Sequence, residues 1–110
     1  MTSPMSNTEK IALEQQIIHE LKSIYDPEIP VNIYDLGLIY DILIDEMNNI
    51  RIKMTLTAPN CPVAESLPVE VRDKIRLVEG VADVQVEIVF DPPWSRDMIS
   101  QEGLLELGFL

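Results

Sequence analysis

The sequence holds a single cysteine, Cys61, and a single histidine, His19, among 110 residues. A lone cysteine excludes an internal disulfide and fits a reducing compartment. Basic residues are scarce as well: 8 Lys and Arg face 19 Asp and Glu, a formal net charge of −11. Such a chain repels phosphate backbones, which argues against nucleic acid as a partner. It repels anionic headgroups in the same way, which argues against a membrane surface. No stretch approaches the ~20 continuous apolar residues of a membrane span. The polar start from Met1 to Lys10 lacks the basic and apolar regions of a signal peptide. The expected compartment is the cytoplasm. Also missing are a Ser-His-Asp order, a Cys-x-x-Cys pair, a glycine-rich phosphate cradle and a His pair at metal spacing.

What is present suits a globular domain. The apolar fraction of 46% is ordinary for a folded protein and too high for a disordered one. The length is that of one domain, which hides roughly 65% of its unfolded surface and needs no disulfide to hold a core. Residues 1–7 read as a disordered leader and 8–110 as the domain.

Ser6 and Glu9 form a capping-box pattern. Leu13, Ile17, Ile18, Leu21 and Ile24 then recur at helical spacing, so a helix is expected over about 7–24, stopped by Asp26-Pro27. His19 is expected at the edge of the core. A loop follows from Asp26 to Gly37, long enough to suggest function. Leu38 to Ile44 reads as a well-buried strand, and Asp45 to Asn49 as a hairpin turn. Ile50, Ile52, Met54 and Leu56 alternate with Arg51, Lys53, Thr55 and Thr57, which predicts a strand with one buried and one polar face. After Ala58-Pro59-Asn60-Cys61-Pro62 an apolar stripe of Val63, Leu67, Val71, Ile75 and Val78 predicts a helix kinked at Pro68 and closed near Gly80. Val84, Val86, Ile88 and Phe90 give a third strand. A last helix opens near Ser100 with Leu104, Leu105 and Leu107 on its apolar side.

The expected fold is a two-layer α+β domain of order α-β-β-α-β-α. Its small mixed sheet has strands one and two as a hairpin and strand three beside strand two, packed against the helices.

Two places can carry chemistry. Pro62 suits a first helical position, which sets Cys61 at or beside a helix N-cap, where the dipole favours a thiolate. The plainer reading makes Cys61 a buried small hydrophobe. Thr55 and Thr57 would lie on the polar face of the strand leading toward it. The second place is the loop with Asp26, Glu28 and Asp35. Six acids and no base lie between Lys22 and Arg51, which invites a cation or a basic partner. The alternative is that these acids are turn-formers. Trp94 reads as a lid over the sheet end, or, if exposed, as a contact anchor.

Four segments occur in order: Asp26-Pro27-Glu28-Ile29-Pro30, Asp35-Leu36-Gly37-Leu38-Ile39-Tyr40, Thr55-Leu56-Thr57-Ala58-Pro59-Asn60-Cys61-Pro62 and Asp91-Pro92-Pro93-Trp94-Ser95. Together they resemble the SufT/PaaD-like family of iron–sulfur cluster assembly proteins. Met98-Ile99-Ser100 and Leu105-Glu106-Leu107-Gly108 are similar to its SufT-type branch. The sequence ends at Leu110 without the cysteine-rich extension of the PaaD branch, which points away from phenylacetate oxygenase assembly. The resemblance implies a maturation factor that helps deliver clusters to apoproteins and works with assembly proteins. By the same resemblance Cys61 is the signature cysteine, with Asp26, Glu28, Asp35, Thr55, Thr57, Asn60 and Trp94 as functional or partner-binding residues. A cluster normally takes four ligands, so one thiol per chain leaves three options. Cys61 is shared across a homodimer, or is a transient ligand to iron or a cluster, or belongs to an adaptor that never touches iron. No stable cofactor is expected on a monomer. A Cys61-nucleophile enzyme is the competing class, set back by the lack of a nearby imidazole. An inert structural interaction module is a third.

Overall fold

A computed structural model of the chain describes residues 7–57 and 66–108. Helix α1 spans Asn7–Leu21, and Leu13, Ile17 and Leu21, each four residues apart, turn one face into the core. The helix ends three residues before the expected point. Ser23 and Ile24 donate to the carbonyls of Glu20 and Leu21, tightening the last turn, and the Ser23 hydroxyl also donates to the Glu20 carbonyl at 2.6 Å. Ile24 still reaches the core from this turn, fully buried. His19 is exposed rather than at the core edge, because the buried stripe passes through Ile17 and Leu21 on another face. Asn7, placed in the leader by the sequence reading, already belongs to α1; the rest of that leader and the Ser6 cap lie outside the described residues.

Strands β1 (Ile39–Ile44), β2 (Asn49–Met54) and β3 (Asp83–Ile88) form one sheet of order β1-β2-β3. β1 and β2 are antiparallel, and β2 and β3 parallel, as the order of elements predicts. β1 is not the well-buried strand expected from its composition. It has a ladder partner on one side only, so Ile42 and Ile44 are half-buried while Asp41 and Leu43 face solvent. β2 keeps the predicted alternation, with Ile50, Ile52 and Met54 buried. The pattern stops at Met54. Thr55 donates its N–H to the Leu38 carbonyl at 2.8 Å, and both Thr55 and Leu56 are buried, so Thr55 does not lie on a polar face. β3 likewise ends at Ile88, because the bond from Val89 N–H to Met54 O is the last that β2 can accept; Phe90 falls outside the strand and is exposed.

Helix α2 (Ser66–Arg76) buries Leu67, Val71 and Ile75 and packs on β3 and α1. Pro68 is its third residue, in the turn whose N–H groups lack intrahelical partners, and the helix runs unbroken to Arg76. The expected start of the stripe at Val63 lies outside the described residues. A 3-10 turn (Arg96–Met98) leads to α3 (Gln101–Leu107), which Ser100 caps by accepting the Gly103 N–H at 3.1 Å. Leu104 and Leu107 pack on the core, whereas Leu105 points outward.

Candidate functional site

The loop between α1 and β1 is built from the core outward. Val31, Ile33, Leu36 and Leu38 are fully buried, so this stretch without regular structure is anchored like a core element. Tyr25 and Asn32 form an isolated bridge, and Ile33 N–H reaches the Ile24 carbonyl at 2.8 Å. Asp26, almost fully buried, accepts the N–H groups of Glu28 and Ile29 through one oxygen, both at 2.9 Å. That is the turn-forming role weighed against a cation site. Glu28 itself is exposed.

Asn32 to Gly37 make one helical turn with its own caps. The Asn32 side chain accepts the Asp35 N–H and donates to the Asp35 carboxylate, each at 2.8 Å. Leu36 N–H closes the turn on the Asn32 carbonyl, and Gly37 ends it at φ 86°. Asp35 is also where the tail is fastened. Its other carboxylate oxygen accepts the Ser100 hydroxyl at 3.0 Å, and its backbone carbonyl accepts the Ser100 N–H at 2.7 Å. The Trp94 indole donates to the Leu36 carbonyl at 2.7 Å and the Tyr40 hydroxyl to the Pro92 carbonyl at 2.7 Å. Trp94 is half-buried against the core, which agrees with a packing role, and its bonded partner is the loop rather than a strand. Two glycines allow the close approach. A Cβ on Gly37 would strike the Met98 carbonyl oxygen, and one on Gly103 would sit 2.8 Å from Ile99 Cγ2 and 3.1 Å from the Asp35 carbonyl.

The structure therefore joins Asp35 and Trp94 through the tail and gives Asp26 a local task of its own. Among the described residues no three His, Cys, Asp or Glu side chains are arranged to hold a metal ion. Thr57 is half-buried. Thr55 is fully buried, and its hydroxyl has no hydrogen-bond partner among the described residues. Unpaired buried hydroxyls are rare and ask for a reason. Asn60 and Cys61 lie outside the described residues. Sequence reasoning missed Asn32, Ser100 as the partner of Asp35, and Gly103. The Asn-x-x-Asp spacing ahead of Leu-Gly was a usable sign of a capped turn. The Ser100–Asp35 link, 65 residues apart, left no local trace.

Residues 14–88 match the family described as iron-sulfur cluster assembly protein. This chain belongs to that family. Over 104 residues it is 48% identical to the Fe-S protein maturation auxiliary factor of Porphyromonas gingivalis, covering 94% of this chain and 99% of that one. It is 40% identical over 97 residues to the Fe-S protein maturation auxiliary factor YitW of Bacillus subtilis, covering 88% and 95%. A solved domain of unknown function, DUF59 from Bacillus anthracis, superposes with a TM-score of 0.86 at 34% identity, covering 96% and 100%. The SufT-like resemblance and the α-β-β-α-β-α fold both hold. Asp26, Glu28, Asp35, Thr55, Thr57, Asn60 and Cys61 fall inside the matched family span, whereas Trp94 and Ser100 lie beyond it.

Proposed function

We propose that this chain is a maturation auxiliary factor that passes an iron–sulfur cluster, as cargo, from assembly proteins to client apoproteins, with Cys61 as a transient ligand. The observation that carries the reading is sequence identity along nearly the whole chain to a relative named as such a factor. Ligand arithmetic supports the transient role. A cluster takes four protein ligands, mostly thiolates, and one cysteine supplies at most one of them. The others must come from the donor or the acceptor, which keeps the cargo exchangeable. Asp35, Ser100 and Trp94 hold the loop that carries Asp26 and Glu28, so partners meet a fixed surface. The unpaired Thr55 hydroxyl, six residues before Cys61, supports function at this end of the sheet, where a cost in stability is tolerated for chemistry. The chain is read as a carrier rather than an enzyme, acting in the cytoplasm.

Anaerobic transfer from a cluster-loaded assembly protein to an apo acceptor, with and without this chain, tests this. The expected result is transfer that the chain accelerates and that requires Cys61. Equal acceleration by Cys61→Ser, or no acceleration by the chain, contradicts it.

A further inference from the structure

β3 is an open edge. Its register with β2 runs without a break from Asp83 to Ile88. The bond from Val89 N–H to Met54 O fixes the alternation, so the N–H and C=O groups of Val84, Val86 and Ile88 face away from β2. Among the described residues no backbone group covers that side. The other edge is guarded. β1 carries a register irregularity between Ile39 and Asp41, and the Asp41 carboxylate takes the Ile42 N–H at 2.9 Å. Bulges and charges of this kind are how sheets block pairing with other strands. β3 has no register irregularity, and its two carboxylates, Asp83 and Glu87, are each paired with an arginine, Arg76 and Arg51.

Charge separates the two edges further. Five of the eight basic residues, Arg51, Lys53, Arg72, Lys74 and Arg76, lie on β2 and α2, the two elements packed against β3. The ion pairs Arg51–Glu87, Arg72–Asp73 and Arg76–Asp83 surround the strand. β3 is thus a neutral strip on a chain of net charge −11, and the hairpin side carries Asp41, Asp45 and Glu46. Two copies of so acidic a chain can approach only where charge is balanced.

We propose that two copies pair antiparallel through their β3 edges about a two-fold axis at Val86, making one six-stranded sheet. In this register Val86 meets its own copy, Val84 meets the partner's Ile88 and Gln85 meets the partner's Glu87. All three outward residues exchange backbone hydrogen bonds and no like charges are opposed. A shift of two residues sets Asp83 against Glu87, which disfavours that alternative. The exposed Val69 on α2, beside the groove over Val84 and Val86, adds apolar contact. The contact is narrow, so the dimer is weak and concentration-dependent.

Sedimentation velocity on the full chain from about 10 μM to about 1 mM tests the proposal. The expected result is a monomer–dimer equilibrium that Gln85→Lys tightens and Gln85→Glu weakens, each by about five-fold. Gln85 is exposed, so both variants keep the fold. A chain that stays monomeric throughout overturns the proposal, and so does a dimer that neither substitution moves.

Discussion

Thr55 carries a hydroxyl sealed from solvent and without a partner among the described residues, and the two roles open to it give opposite expectations. Replacing it by the isosteric valine removes an unsatisfied polar group, so Thr55→Val should raise stability by about 1 kcal/mol in denaturant melts. Lower support of iron–sulfur enzymes from the more stable variant would mark the hydroxyl as functional. Gly37 gives the complementary case. Its positive φ and its contact with the Met98 backbone leave no room for a methyl group, so Gly37→Ala should cost about 3 kcal/mol by the same assay. The sequence shows that a glycine ends the Asp-Leu-Gly turn. It does not show that the tail passes within contact distance of it, since that depends on packing across 61 residues of chain (98 − 37).

At the scale of elements, the periodic stretches were legible and their ends were not. β2 and α2 declare themselves because buried residues repeat every two or every three to four positions. Thr55 broke the alternation because tertiary contact with Leu38, not strand period, decides its burial. The composition of β1 suggests a well-buried strand, but its place at the sheet edge, which the expected strand order already implies, leaves it half-buried. The β1–β2 turn was predicted, and the structure adds its chemistry. The Asn49 N–H and side-chain amide, with the Met47 N–H, hold the Asp45 carboxyl below its ordinary pKa of 3.8. A carboxyl lowered in the folded state stabilises the hairpin fully above that ordinary value and loses the effect as pH falls through its folded pKa. An NMR titration should therefore show Asp45 titrating below its ordinary value, and Asp45→Asn should flatten the acid limb of the stability curve. In the tail, Ser100→Ala removes both the α3 cap and the bond to Asp35. It should cost about 2 kcal/mol and speed amide exchange over residues 32–37 as well as in α3.

For the whole molecule, the small mixed sheet, its strand order and the family are all legible in the sequence, because four spaced motifs constrain more than any one of them. The acidic loop was legible as a site of interest but not in its workings. Asp26 and Asp35 bind backbone, side-chain and tail groups, so their buried carboxylates fix the shape of the loop. The central claim is that one thiol handles the cargo on this scaffold. A strain whose only copy carries Cys61→Ala tests it most directly, with the variant checked for wild-type abundance and melting. The account predicts that iron–sulfur enzyme activities in that strain fall to the level of a deletion. Activities equal to wild type, with the variant folded and present, would contradict it.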